Sequence, residues 1–185
     1  YEYRIYSCFN LDCVCVMIEV QITEDHLLSA KRKASSVGIL QGSITGGMSN
    51  VVGALGEVIV AELLGAKEVN SKDYDLIDGN IRIDVKTKRC NTKPLRHYDC
   101  SVAAHGTKQD CDSYVFVRIL TSLKIAWVLG KIDKDIFYNK ATRYKRGDFD
   151  PANGFVFKAD CYNLPVSELN DILAENKFYH AQEST

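Results

Sequence analysis

Two aspartates and a lysine stand out because their spacing places them on one face of a short stretch. Residues 75–86 read Asp-Leu-Ile-Asp-Gly-Asn-Ile-Arg-Ile-Asp-Val-Lys, and apolar and polar residues alternate on each side of the Gly-Asn pair. This alternation is typical of half-buried strands, and Asp-Gly-Asn favours a tight turn, so the stretch predicts a β-hairpin. Its polar face carries Asp75, Arg82, Asp84 and Lys86. Two carboxylates beside an ammonium group indicate a Mg²⁺ site next to a cationic side chain.

The register of this hairpin depends on which two residues form its loop. A loop of Gly79 and Asn80 sets Asp75 directly opposite Asp84, whereas a loop that begins one residue earlier makes the two aspartates diagonal neighbours on the same face. Opposed carboxylates repel each other, and a cation between them would relieve the repulsion. The alternative is a solvent-facing hairpin whose charges serve only solvation.

A third carboxylate lies on the helix that is predicted before the hairpin. We predict this helix at residues 51–64, with Ser49 or Asn50 as its N-cap and Gly65 as its stop. The helix is apolar nearly all round and is therefore predicted to be buried. A carboxylate in a buried helix needs an ionic partner or a metal. We expect Glu57 to join the metal site; a salt bridge to a lysine at the edge of the core is the alternative.

The densest basic stretch follows the second arm of the hairpin. Residues 86–93 read Lys-Thr-Lys-Arg-Cys-Asn-Thr-Lys. Such a segment beside carboxylates suits a polyanionic substrate, because Lys and Arg bind backbone phosphates without reading sequence. A loop rich in glycine and hydroxyl groups at 38–50 can also approach a phosphodiester backbone through its N–H groups. The predicted DNA-binding residues are Lys88, Arg89, Lys93, Arg96, Ser49, Asn50 and Lys108.

The remaining elements follow from hydrophobic period and from cap and turn residues. We predict strands at 16–22, 66–70, 114–120, 124–129 and from 155, helices at 24–36, 133–141 and 164–175, and a short helix or loop at 101–108. The strands at 114–120 and 124–129 are predicted to form a buried hairpin. The final helix is predicted from Pro165, which suits a first turn.

Composition bounds the class of protein. With 185 residues, 46% of them hydrophobic and 25% charged, the chain fits one globular domain. The net charge of −1 does not indicate a polyanionic partner, so any nucleic-acid surface must be a local cluster. We predict residues 1–16 to be an N-terminal extension and residues 17–185 to be a single domain.

Cysteine usage and hydropathy bear on the compartment. The seven cysteines are an odd number and no clean secretory signal precedes them, which favours a reducing cytoplasm and free thiols. The longest apolar run, residues 13–17, is far too short to cross a membrane. The sequence therefore predicts a cytoplasmic protein without a membrane partner.

The order of these elements and the spacing of the charged residues resemble the PD-(D/E)XK nuclease superfamily. The bipartite motif is present as Tyr74-Asp75, eight residues, then Asp84-Val85-Lys86, with Tyr where the family often has Pro. Glu57 matches the helix glutamate that many members carry. The matched core spans roughly residues 51–128, less than half of the chain. The basic stretch and the segment at 160–169 are also similar to small phage-borne endonucleases of this superfamily.

The resemblance implies an α/β (α+β) fold, in which a central mixed sheet is flanked by helices around a restriction-endonuclease-like αβββαβ core. It also implies hydrolysis of phosphodiester bonds with one or two Mg²⁺ ions, for which Mn²⁺ may substitute. Glu57, Asp75, Asp84 and the carbonyl of Val85 would hold the metal. Lys86 would orient or deprotonate the attacking water, or neutralise the developing charge.

The resemblance leaves the substrate open. Site-specific or homing-type cleavage of double-stranded DNA by a homodimer is the expected activity, because cutting two strands calls for two active sites. A resolvase of branched, Holliday-junction-type DNA with the same fold is the first alternative. The second is a non-catalytic zinc or nucleic-acid-binding module, for which soft ligands lie close together at Cys90, His97, Cys100, His105 and Cys111.

Overall fold

The computed structural model describes residues 3–6, 17–36, 48–69, 71–150 and 154–174. Its strands are β1 Tyr3–Tyr6, β2 Met17–Gln21, β3 Lys67–Glu68, β4 Leu76–Asp78, β5 Ile81–Cys90, β6 Asp99–Ala103, β7 Ser113–Leu120, β8 Ile125–Asp133, β9 Thr142–Tyr144, β10 Phe149–Asp150, β11 Phe155–Val156 and β12 Cys161–Pro165. Its helices are α1 Glu24–Ser36, α2 Met48–Leu64 and α3 Lys134–Lys140. Single 3-10 turns lie at Ala104–Lys108 and Val166–Glu168. The predicted α+β class is confirmed.

The largest element is a mixed sheet with the strand order β1-β2-β8-β7-β5-β4-β3. β5 and β7 pair in parallel, and the other neighbours pair antiparallel. The parallel connection from β5 to β7 contains β6 and a 3-10 turn, where the expected core has an α-helix. β1, which lies within the predicted extension at residues 1–16, pairs with β2 at one sheet edge. A smaller sheet has the order β6-β12-β9, and β10 pairs with β11.

The large sheet has a hydrophobic core on each face, because alternate residues of a strand point to opposite sides. Val115 and Val117 of β7 belong to the cluster that α1 and α2 cover. Tyr114 and Phe116 of the same strand belong to a second cluster, in which they pack against Phe137 of α3. The predicted buried hairpin at 114–129 is therefore confirmed, and both of its faces are covered.

The start of α1 is held by reciprocal hydrogen bonds between Thr23 and His26. The His26 N–H donates to Thr23 Oγ1 at 3.2 Å, and the Thr23 N–H donates to His26 Nδ1 at 3.1 Å. This is a capping box with His in the place of the usual Glu or Gln. Because Nδ1 accepts, Nε2 carries the proton and donates to Glu62 Oε2 on α2 at 2.9 Å. The cap therefore also ties α1 to α2.

The two ends of α2 differ in how well the sequence predicts them. The helix begins before Ser49 and Asn50, so the prediction that one of them is the N-cap is wrong and both lie in the first turn. The predicted stop at Gly65 is confirmed, since its φ is +66° and the next N–H, that of Ala66, donates to the Ala61 carbonyl at 2.9 Å. No helix in the described ranges is long and apolar enough to span a membrane.

The predicted final helix from residue 164 is wrong. This segment continues β12 through Pro165 and then makes one 3-10 turn. The Val166 N–H donates to the Tyr98 carbonyl, and the Ser167 N–H donates to a carbonyl in the same loop, both at 2.9 Å. These bonds hold the segment against the loop before β6. In an α-helix the Asn170 N–H would donate to the Val166 carbonyl, but here it donates to the Lys131 carbonyl at 2.8 Å, so the helix does not continue.

The contact between α2 and β5 requires a glycine. A Cβ added at Gly56 would overlap Thr87 Oγ1 and lie 3.1 Å from Thr87 Cβ and Cγ2, so rotating Thr87 does not clear the space. We expect Gly56→Ala to destabilise the protein by about 1–3 kcal/mol through overpacking. Gly53→Ala is the control, since a Cβ there meets nothing within 4 Å. Because alanine has a higher helix propensity than glycine, this variant should be more stable than the wild type by up to about 1 kcal/mol. Equal urea midpoints for the two variants would contradict this packing.

Candidate active site

The hairpin that carries the two aspartates has the first of the two predicted registers. Asp78 pairs with Ile81, and Gly79 has a φ of +58°, so Gly79 and Asn80 form the two-residue loop. The Asp75 N–H donates to the Ile83 carbonyl at 2.9 Å. Continuing this register sets Asp75 opposite Asp84.

Asp75 stands where β4 stops pairing with β5. Its Oδ2 accepts the Val85 N–H at 2.7 Å. The Asp75 carboxyl group thus makes the hydrogen bond to β5 that the backbone of a neighbouring strand would otherwise make. The N–H and C=O of one residue in an extended strand point to the same side. The Val85 carbonyl therefore faces the same space as the Asp75 carboxyl group, as a ligand role for this carbonyl requires.

The carboxyl groups of Glu57 on α2 and Asp84 on β5 lie close enough to that of Asp75, just before β4, to shift its pKa. The pKa of Asp75 is raised to about 8, first by burial of its carboxyl group and then by the negative charges of Glu57 and Asp84. Glu57 is also paired with the Lys33 ammonium group of α1, with 2.7 Å between Nζ and Oε2. The same ammonium group lies 2.6 Å from Glu68 Oε2. The predicted salt bridge of Glu57 is therefore present, and it lies beside the aspartates.

Asp84 is a buried carboxylate with spare capacity for a ligand. The residue is 4% exposed, and its Oδ2 makes an ion pair with Lys86 but no well-formed hydrogen bond with any described residue. Lys86 Nζ donates to Gln109 Oε1 at 3.0 Å and lies 5.6 Å from the centre of the Tyr114 ring. The ammonium group is thus held in place from several sides.

This donor set fits a hard divalent cation. Carboxylate and carbonyl oxygens are the ligands that Mg²⁺ prefers, and Mg²⁺ keeps several waters when one or two carboxylates bind it. A cation would also relieve the repulsion that raises the pKa of Asp75, and it would give Asp84 Oδ2 a second partner beside Lys86. Within the described ranges, no three Cys, His, Asp or Glu side chains are already arranged as a metal-binding group. The carboxylates would therefore have to close around the ion.

Comparison with known proteins adds no family to this picture. No protein-family model matches the chain, and no curated protein matches it. The functional argument therefore rests on the geometry and charge of the residues themselves.

The pKa of Asp75 predicts an unusual dependence of stability on pH. Because this pKa is raised from 3.8 to about 8 in the folded state, the folded protein holds a proton between these values that the unfolded chain has released. The free energy of unfolding should therefore fall as the pH rises from about 4 to 8, by at most about 1.4 kcal/mol per pH unit for one proton. Thermal unfolding in EDTA measures the trend. Asp75→Asn cannot ionise and should flatten it; a wild-type curve no steeper than that of the variant would contradict the raised pKa.

A cavity of about 860 Å³ opens beside Lys86 along the edge of β5. Of the predicted DNA-binding residues, Lys88 lines this cavity. Arg89 alternates to the other face of β5, Lys93 is 3.9 Å from Glu19, and Arg96 is half-buried in the loop before β6. The others lie in the first turn of α2 (Ser49 and Asn50) and, exposed, at the end of a 3-10 turn (Lys108). Residues 38–47 of the predicted phosphate-binding loop lie outside the described residues.

Several residues at the site were not predicted from the sequence. Gln109 contacts Lys86, and the cavity is also lined by Arg118, Phe155 and Phe157. Arg118 had a visible signal, because it is a charged residue inside the apolar strand Ser113–Leu120. The other three had none, since their proximity comes from long-range packing.

Arg82 shares the polar face of β5 but has a structural partner. Its guanidinium group binds both Asp112 oxygens, at 2.7 and 3.0 Å, and also contacts Asp110. This pairing lowers the pKa of Asp112 to about 2. The arrangement joins the start of β5 to the start of β7, and Arg82 is thereby accounted for as a salt-bridge residue.

The cysteines of the predicted zinc module occupy different environments. Cys100 and Cys111 are buried in the second hydrophobic cluster, whereas Cys90 is half-buried and His97 is exposed. Burial raises the pKa of the Cys90 and Cys111 thiols, which favours the protonated form over the thiolate that binds zinc. The side chain of His105 is outside the described part of the chain. The carboxylate site is therefore a stronger candidate for metal binding than these thiols are.

Proposed function

We propose that this chain is a Mg²⁺-dependent endonuclease that hydrolyses phosphodiester bonds in DNA. The observation that carries the proposal is the meeting of Glu57, Asp75 and Asp84 beside the ammonium group of Lys86. Three acidic groups in a half-buried site repel one another, and such an arrangement is stable only with protons, lysines or a cation. The Asp84-Val85-Lys86 order adds a carbonyl ligand and a positive charge to the same strand.

The residues divide the work between holding a metal and handling charge. Asp75, Asp84 and the Val85 carbonyl would hold Mg²⁺, with Glu57 as a further ligand. When bound, Mg²⁺ supplies Lewis-acid polarisation of the phosphate and lowers the pKa of its water. Lys86 neutralises the negative charge that develops on the phosphate oxygens. Its hydrogen bond to Gln109 keeps the ammonium group at one position during this step.

The substrate is proposed to be double-stranded DNA cut by a homodimer. Lys88 supports phosphate binding because it lines the cavity that Lys86 also lines. Two copies of one active site are the simplest way to cut two strands, and a dimer would match a substrate with two-fold symmetry. Mn²⁺ is expected to replace Mg²⁺, since it accepts the same oxygen ligands.

A cleavage panel tests this proposal. The purified chain is incubated with Mg²⁺, Mn²⁺, Zn²⁺ or EDTA and with linear duplex, four-way junction, single-stranded DNA or RNA. We expect cleavage with Mg²⁺ and Mn²⁺ and none in EDTA. Preference for the junction would indicate a resolvase instead of a site-specific enzyme. Tight zinc retention with no cleavage of any substrate would overturn the proposal and favour the zinc module.

A further inference from the structure

The cavity beside Lys86 has the size and the walls of a nucleotide site. Its volume of about 860 Å³ lies in the range of small-molecule pockets in proteins. The cavity is lined by β5 from Val85 to Lys88 and by residues of the β10–β11 hairpin and the chain that follows it. Residues of β6, β7 and β12 close the remaining side. The carboxylate site itself does not require this space.

Four cationic side chains line the cavity, those of Lys86, Lys88, Arg118 and Lys158, and two of them are neighbours in the sheet. Lys88 of β5 and Arg118 of β7 are partners in the parallel register, so their side chains lie next to each other on one face of the sheet. Arg118 is only 8% exposed, and its guanidinium group donates to the Asp99 backbone carbonyl. Lys88 Nζ donates to Ser101 Oγ at 3.2 Å. Neither cation forms an ion pair with a carboxylate among the described residues, and this pair therefore suits an anion.

An aromatic wall also lines the cavity. Phe155 is 45% exposed, and Phe157 beside it is 7% exposed. Phe157 is stacked flat on Tyr144 with 4.2 Å between ring centres, and it meets Phe155 edge-on at 5.4 Å. Tyr144 therefore supports the wall from behind, while Phe155 leaves ring surface open for a flat, apolar partner such as a nucleobase.

Three aspartates also line the cavity. Asp99 accepts a hydrogen bond from Asn163 Nδ2 at 3.2 Å, and Asp160 accepts one from the Arg146 N–H at 2.9 Å. Asp150 is the third. The Asp99 carboxylate lies within electrostatic range of Lys88 and Arg118 and offsets part of their positive charge. Asp150 and Asp160 offer polar contacts to the edge of a base.

We propose that this cavity binds one unpaired nucleotide next to the phosphodiester bond that is cleaved. Lys88 and Arg118 contact its phosphate, and its base stacks on Phe155. The preferred substrate is then DNA with a base that is single-stranded or displaced from the duplex. Only the position beside the cleaved bond rests on the proposed nuclease function; nucleotide binding itself does not.

Binding of two short probes tests the subsite without cleavage. Fluorescein-labelled pentathymidylate and an abasic pentamer with the same phosphates are titrated against the wild-type chain in EDTA. We expect the base-containing probe to bind about tenfold more tightly, as one stacked base is worth about 1–3 kcal/mol. Phe155→Ala should remove this preference. Lys88→Ala should weaken binding of both probes by a similar factor, because it removes a phosphate contact.

The same hairpin provides the control. Phe149 is 60% exposed and pairs with Val156, so it lies on the face of the hairpin opposite Phe155 and does not line the cavity. Phe149→Ala should keep the tenfold preference, and urea unfolding confirms that both variants fold. Equal binding of the two probes by the wild type, or an equal loss in both phenylalanine variants, would overturn the subsite. If the wild type showed this probe preference but no metal-dependent cleavage, the proposed nuclease function would be overturned and the nucleotide subsite would stand.

Discussion

Replacing Asp84 with asparagine is expected to reduce Mg²⁺-dependent cleavage by roughly a thousandfold or more, which corresponds to about 4 kcal/mol of transition-state stabilisation. Asparagine has almost the same shape as aspartate but lacks its charge. Asp84 is buried, and its Oδ2 has the ion pair with Lys86 but no hydrogen bond among the described residues, so it keeps capacity for a cation. Single-turnover cleavage of an end-labelled duplex, with enzyme in excess, measures the effect without interference from product release.

A matched carboxylate serves as the control for this substitution. Asp110 has 73% of its side chain exposed, and its ion-pair partner is Arg82, which is not one of the proposed metal ligands. Asp110→Asn should keep cleavage within about twofold of the wild type, because exposed pairs are worth little. Thermal unfolding shows whether Asp84→Asn is folded. Wild-type cleavage rates in a folded Asp84→Asn variant would mean that the carboxylate does not hold the metal.

Replacing Lys86 with alanine is expected to separate catalysis from metal binding. Cleavage should fall by roughly 10²- to 10⁴-fold, the usual contribution of a positioned charged or proton-transferring group. Affinity for Mg²⁺ should not fall, because the variant removes the ammonium group that now pairs with Asp84 and competes with a cation for it. Calorimetric titration with Mg²⁺ and single-turnover cleavage measure the two quantities on the same preparation.

Lys124 in the turn after β7 provides the comparison, since it is exposed and far along the chain from the site. Lys124→Ala should leave both quantities unchanged. If Lys86→Ala cleaved as fast as the wild type, Lys86 would have only the structural role of neutralising Asp84. If the variant lost both metal binding and cleavage, the ammonium group would be needed to assemble the carboxylates.

The hairpin was predictable because its determinants are local. Alternation of apolar and polar residues defines the strands, and Gly79 supplies the positive φ that sets the loop and hence the register. That register alone places Asp75, Asp84 and Lys86 on one face of the hairpin. Glu57 was predicted from a different signal, since a charge in an apolar helix needs a partner.

The rest of the site depends on contacts that no local pattern encodes. The packing of α1 on α2 brings Lys33 to Glu57 and Glu68, and no local pattern in the sequence indicates this contact. Gln109 reaches Lys86 from the connection between β5 and β7. The prediction of the final helix is wrong for a related reason, because the Asn170 N–H donates to the distant Lys131 carbonyl and not to a carbonyl one turn before it. Tertiary hydrogen bonds and ion pairs override local preference in each case.

The most direct test of the metal site is nicking of supercoiled plasmid as Mg²⁺ is titrated into EDTA-treated protein. Wild type and Asp84→Asn are compared in parallel, so that a contaminating nuclease appears in both. We expect saturable nicking by the wild type, none in excess EDTA, and at most a trace in the variant. Absence of nicking at every Mg²⁺ concentration, or equal nicking by the two proteins, would contradict a catalytic metal held by Asp75 and Asp84.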